Sequence, residues 1–423
     1  MQRYVNVSEK VAGGGLLHRR TLLGVAAFGG VAAAGKSLAA PLAVPEWSEV
    51  PGLPMSGYGQ PSPFEAHVQR PVLGLYPEGT GDGAGVSFTP LEHLEGTITP
   101  NGLFFERHHS GIPEIDPTRH ELVIHGLVRQ PRVFTSEDLV GMPLITQTVF
   151  LECAGNSLFN SLAEPQQRSA GEIHGLIGAA EWTGVRLADL LDLVGIDPRA
   201  TWILAEGADA AKQSRSIPLS KIIDGDAMVA LYQNGERLRP EQGYPMRLVL
   251  PGWQGSMQTK WLRRIKLVDG PTQTKDETSK YSLSQKDGRA QQFIFEMGVK
   301  SVITRPSPGI APTRPGLYQI SGLAWSGAGR IVRVQVSADG GTSWADALLD
   351  GDARPKMLTR FRLPWDWSGE PALLMSRATD EMGAVQPTRM EWYAPWAPEQ
   401  LYHQNAIQVW SVAATGEVQN VYL

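Results

Sequence analysis

A run dense in proline and glycine, TRPSPGIAPTRPG (Thr304–Gly316), divides the chain into two differently patterned parts. Proline lacks an amide donor and fixes φ, so such a stretch continues neither a helix nor a central strand. After it come short β-rich segments with a turn signal every ten residues or so: LYQISGLAWS, IVRVQVSADGGTSWADALL, TRFRLPWDW and ALLMSRATD. That pattern predicts a β-sandwich over residues 296–423. Before it the pattern is mixed. LVIHGLV, LITQTVFLEC, TWILAEGAD, AMVALYQN-GERL, YPMRLVLPG and WLRRIKLVD read as strands, and Asn234-Gly235 as a hairpin turn. TSEDLVGM reads as a short helix capped by Thr135, with Glu137 and Asp138 in its first turn, and VRLADLLDLVGI as a longer one stopping at Gly195. The expectation is an α+β domain over 44–290. Residues 41–100, rich in Pro and Gly, read as an extended arm or loops.

The N-terminus has its own character. A polar stretch ends in His18-Arg19-Arg20, an apolar run LLGVAAFGGVAAAG follows from Leu22, and small residues lie after Lys36. This order describes an export leader over 1–40, of the twin-arginine type, and predicts a periplasmic protein exported by that route. The run is shorter and less apolar than a membrane span of about 20 residues. The formal charge of the whole chain is −5, and residues 1–40 hold five basic residues and one acidic residue, leaving about −9 on the remainder. That balance argues against nucleic acid or a membrane as partner, since both favour basic surfaces.

In an oxidising compartment a lone cysteine has no internal disulfide partner, and Cys153 is the single cysteine of 423 residues. It closes a buried strand, where open sheets place their chemistry. Alone, it reads as a small buried hydrophobe, as a nucleophile, or as a thiolate ligand to a soft metal whose other ligands come with a cofactor. No cluster of Cys and His has zinc-site spacing.

The sequence around it, LECAGN, resembles the cysteine motif of the sulfite oxidase family of molybdenum enzymes. FFERHHSGIP upstream, and AEWTGVRLADLL, SIPLSKIIDGDAMVALYQNGERL and GYPMRLVLPGWQGSMQTKWLRRI downstream, resemble further blocks of that family in the same order. The β-rich tail, with VQVSADGGTSW, is similar to its immunoglobulin-like dimerisation domain. The resemblance runs from about residue 97 to the C-terminus. It is nearest to the family's sulfane dehydrogenase branch, which acts in thiosulfate oxidation.

The resemblance implies a molybdenum–molybdopterin cofactor with Cys153 as the protein ligand. It implies that Phe105, Arg107, His108, His109, Asp209, Arg247, Gln258, Thr259 and Lys260 bind that cofactor. Arg107 would also face the substrate anion, and Arg247 and Lys260 the pterin phosphate. His174 is a candidate pocket residue, or equally a satisfied structural histidine. Ser157, Gln213 and His403 stand where sulfite-specialised relatives place Arg, Tyr and Arg, and Glu172 where a tryptophan lies. Arg215 is the one nearby candidate to replace a lost charge. These departures fit a larger, carrier-bound sulfur substrate, with free sulfite as the alternative. With one cysteine no Cys-X-X-Cys-His haem attachment exists. No haem is therefore expected on this chain, and the resemblance implies transfer to a separate dihaem c-type cytochrome subunit. It further implies a sulfur-carrier protein as substrate and self-association through the C-terminal domain.

Overall fold

The computed structural model describes residues 11–17, 44–49, 51, 54–74, 83–397 and 400–423. Arg19-Arg20 and the apolar run from Leu22 lie outside the described residues. Part of the supposed arm is a sheet: β1 (Val72–Gly74), β2 (Gly85–Ser87) and β3 (Glu106–His108) pair antiparallel, with Val86 opposite Arg107. Pairing with a distant strand gives these weakly patterned residues their conformation, which local periodicity could not reveal.

Two five-stranded sheets follow. One has the order β5-β4-β13-β8-β9, made of β4 (Glu121–Gly126), β5 (Arg132–Thr135), β8 (Trp202–Gly207), β9 (Ser214–Pro218) and β13 (Leu262–Val268). The other contains β6 (Leu144–Glu152), β7 (Ile177–Arg186), β10 (Met228–Gln233) and β11 (Glu236–Arg237), with β12 (Arg247–Val249) also on β10. Local chemistry sets the element ends. Thr135 and Asp138 form a reciprocal capping box on the helix Ser136–Val140. Gly195, at φ 66°, stops the helix Leu187–Val194. Asn234 and Gly235, at φ 49° and 81°, make the β10–β11 turn.

A small hairpin, β14 (Leu283–Ser284) with β15 (Ala290–Gln291), precedes the sandwich. One sandwich sheet holds β16 (Lys300–Arg305), β17 (Gly316–Trp325), β20 (Leu348–Leu349) and β21 (Thr359–Trp367). The other holds β18 (Ile331–Ser337), β19 (Ala345–Asp346), β22 (Ala372–Asp380), β23 (Val409–Val412) and β24 (Val418–Val421). The Pro/Gly run is the crossing from β16 to β17. Among the described residues no helix is long and apolar enough to cross a membrane.

The two halves share one apolar core. Phe150 at the end of β6, with Ile173 and Ile177, packs into the cluster that contains Trp325, Trp365 and Trp410 of the sandwich. A buried polar chain crosses the same boundary. Glu152 accepts from Trp325 Nε1 at 2.7 Å and Asn156 Nδ2 at 2.8 Å, and lies 3.5 Å from Lys300 Nζ. Lys300 donates to Ser157 Oγ at 2.6 Å, and that hydroxyl meets His174 Nδ1 at 2.6 Å. The far nitrogen of His174 meets Gln408 Oε1 at 2.9 Å. The segment after β6 is therefore clamped between the domains, and Cys153 begins it.

Candidate active site

Cys153 sits one residue past β6, where the chain turns out of the sheet. Its side chain lines a cavity at that turn. The lining includes Phe105 just before β3, Arg107 and His108 from β3, His109 just after it, and Asp209 from beyond β8. Arg247 from β12 and Gln258, Thr259 and Lys260 from the loop before β13 complete that group. Ten cofactor-site residues named from sequence thus face one cavity, from five separate stretches of the chain. A β-carbon on Gly255 would lie 3.0 Å from Glu152 O, so glycine lets this backbone pass close beneath the cysteine.

The cavity is electropositive. Arg107, Arg247 and Lys260 line it, against the one lining carboxylate Asp209. Burial pushes Arg247 down to about 9, and holds Lys260 well below the ordinary lysine range with Arg247 adding to the effect. Lys260 donates to His108 Nδ1 at 2.9 Å and to the carbonyl of Glu241 at 3.0 Å. His108 in turn binds Glu106 at 2.9 Å, across its other nitrogen. Arg247 donates to the carbonyls of Gln242 at 3.0 Å and Gln258 at 3.1 Å. Its Nε and the hydroxyl of Thr259 are buried without partners. Desolvated cations and free donors around a cavity are what an anionic, phosphate-bearing group requires. The thiol supplies the soft donor, so this donor set fits a molybdopterin cofactor. The Gln258 side chain is occupied elsewhere, donating to Trp253 O at 2.8 Å and accepting from Leu250 N, so it reaches the cavity as a wall.

Near the sulfur, burial pushes the Cys153 thiol up, opposed by the Gly155 amide and by Arg107. Arg107 donates to His109 Nδ1 at 3.2 Å. That nitrogen must then be the unprotonated one, and Nε2–H faces the Tyr281 hydroxyl at 3.1 Å. Burial, then Arg107, lowers His109 to about 3, so the ring is neutral throughout the physiological range. The Tyr281 hydroxyl accepts from histidine and keeps its own proton for the cavity it lines. Burial, then the neighbouring Cys153, raises the phenol, so it stays protonated.

Comparison with known proteins agrees with this geometry. Residues 109–275 match the family described as "Oxidoreductase molybdopterin binding domain", and residues 291–410 match "Mo-co oxidoreductase dimerisation domain". Sulfite oxidase of Gallus gallus is 32% identical over 323 residues, covering 70% of each chain. Mitochondrial sulfite oxidase of Drosophila melanogaster is 31% identical over 340 residues, 74% of this chain and 59% of that one. This chain belongs to the sulfite oxidase family of molybdopterin oxidoreductases. It spans only about 59% of the length of the Drosophila relative. Within the family, the crystal structure of the sulfane dehydrogenase SoxCD from Paracoccus pantotrophus is 46% identical, with a TM-score of 0.87, covering 90% of this chain and 97% of that one.

The family departures can now be placed. His174 is a correction: it does not line the cavity, but is fully buried between Ser157 and Gln408 and edge-on to Trp410. Burial, with Lys300 adding to it, holds His174 well below the ordinary histidine value, as suits a neutral cross-domain link. Ser157 is likewise taken up by that link. Arg215 does not line the cavity either. Its guanidinium lies behind Tyr281, 4.9 Å from the ring centroid, and donates to Ser256 Oγ at 2.5 Å. Glu172 caps the helix Ala170–His174 and pairs with Arg168. His403 donates its amide to Ala154 O at 2.8 Å, which steadies the residue after the cysteine from the sandwich side. Gln213, where relatives have tyrosine, lines the cavity. A phenol, that of Tyr281, lines the same cavity. No signal in the polar stretch Ser279–Ser282 marks it; only the long-range contact with His109 does.

Proposed function

We propose that this chain is the molybdenum subunit of a periplasmic sulfane dehydrogenase. It would oxidise sulfur carried on a protein and pass electrons to a dihaem c-type cytochrome subunit. The observation carrying this reading is the cavity lining, where Arg107 is the cation that interacts with Cys153 and is not assigned to the pterin phosphate, and Gln213 and Tyr281 are neutral. The likeness to a sulfane dehydrogenase supports it. A small dianion such as sulfite needs several fixed cations to offset its desolvation. Arg247 and Lys260 are assigned instead to the pterin phosphate, while Arg215 and Lys300 are held by other partners.

When bound, the cofactor supplies oxygen-atom transfer and takes up the two electrons released. The protein's share is positioning. Cys153 would anchor the metal, Phe105 and His108 would wall the pterin, and Asp209 would accept from the pterin's N–H edge. Arg107 is assigned to orient the anionic sulfur group, and Tyr281 to donate a hydrogen bond to its oxygen. Replacing Tyr281 by Phe is expected to lower kcat/KM by roughly ten- to hundredfold, the equivalent of about 1.5–3 kcal/mol for a hydrogen bond to a charged group. An unchanged kcat/KM would remove Tyr281 from substrate contact.

The assignment as a molybdenum enzyme is tested by metal analysis of protein from a host that makes the cofactor. About one molybdenum per chain is expected, and none would end the reading. Export by the twin-arginine route is tested by changing Arg19 and Arg20 to lysine, which should leave the precursor in the cytoplasm. Normal periplasmic accumulation of that variant would exclude the route.

A further inference from the structure

Residues 11–17, part of the sequence read as leader, are built into the sandwich. Leu16 is fully buried and belongs to the main core cluster; Leu17 is nearly so. Leu16 pairs antiparallel with Trp365 of β21. Leu17 N–H donates to Pro364 O at 3.1 Å, and Asp366 N–H donates to Gly15 O at 2.8 Å. The Trp365 indole donates to Gly14 O at 2.7 Å, and Gly13 N–H to Ser343 Oγ at 2.7 Å. The short β20 pairs with Phe361 and Arg362, so the segment continues the same edge of β21 where β20 stops.

The fit is specific to the sequence. A β-carbon on Gly13 would meet Asp339 Oδ2 at 2.3 Å, on Gly14 Ala338 Cβ at 2.6 Å, and on Gly15 Asp366 O at 2.0 Å. Gly14 and Gly15 also stand at φ +67° and +89°. Three consecutive glycines followed by a buried leucine are therefore explained by this groove, and the export reading left them unexplained. Strand addition of this kind joins main-chain bonds for affinity to a side-chain pocket for specificity.

We propose that Gly13–Leu17 is a docking element by which the leader recognises its own folded sandwich. The leader is thereby held on the finished domain, with the paired arginines following two residues after Leu17. Because the groove is formed by β21 and the neighbouring Ala338–Ser343 turn together, docking reports that the C-terminal domain has folded. The leader role rests on the export reading above; the docking itself does not.

The test is hydrogen exchange on the full-length precursor. In the native sequence the Leu17 and Asp366 amides should be protected. In Leu16→Asp and in Gly15→Val both should exchange at least tenfold faster, while amides at Ile320 and Phe361 remain slow. Adding a peptide of residues 8–20 to the Leu16→Asp precursor should restore protection at Asp366, and the same peptide with Gly15→Val should not. Unchanged exchange in both variants, or no rescue by the native peptide, would overturn the docking. The Arg19→Lys, Arg20→Lys precursor should keep full protection. If that variant is exported normally while Leu16→Asp still loses protection, the export reading fails and the docking stands.

Discussion

Cys153→Ser should abolish turnover, by at least about a thousandfold, while the protein still folds. Serine is nearly isosteric, and its oxygen can accept from the Gly155 amide as the native sulfur does. The hydroxyl is a harder and poorer donor than a thiolate toward a high-valent soft-ligand metal. The neighbouring clamp on Glu152, Asn156 and Ala154 does not involve the sulfur, so the loop keeps its shape. Turnover is to be measured beside far-ultraviolet dichroism and thermal unfolding. Activity near that of the native protein would end the assignment of Cys153 as ligand.

The second large effect is on stability. Lys300 and Glu152 are nearly inaccessible, with side chains 2% and 1% exposed. Burial lowers Lys300, and Glu152 opposes that shift. Lys300→Met would leave the Glu152 carboxylate buried with only neutral donors, Trp325 and Asn156. Removing one partner of such a pair costs about 3–5 kcal/mol, because the remaining charge is uncompensated. Removing both charges avoids most of that cost, so Glu152→Gln combined with Lys300→Met should recover much of the loss. Denaturant unfolding of the two single variants and the double variant measures this. A Lys300→Met protein as stable as the native one would show that the pair does not clamp the cysteine segment.

Both predictions draw on parts of the molecule that were unequally legible in the sequence. The strand ending beside Cys153 was readable because β6 is rich in β-branched and apolar residues, and a turn follows at once. The Thr135–Asp138 cap was readable because it depends on residues three apart. The cofactor cavity was readable through motif resemblance, which carries long-range information that periodicity lacks. Lys300 was not readable: a lysine before an apolar strand normally signals a solvated end, and only packing against the first domain buries it. Tyr281 was missed for a related reason. It lies in a polar segment and reaches the site by tertiary contact with His109, from a backbone at φ 55° that no local pattern announces. His174 shows the reverse error, a histidine near the motif whose partners turn it away from the cavity.

The cavity at Cys153 is proposed to serve carrier-bound sulfane sulfur. Steady-state kinetics with a c-type cytochrome as acceptor, comparing a persulfidated carrier protein with free sulfite, tests it most directly. With Arg107 the cation beside Cys153 left for substrate, the higher specificity constant is expected for the carrier. A higher kcat/KM for sulfite would exclude the sulfane assignment and make the protein a sulfite dehydrogenase.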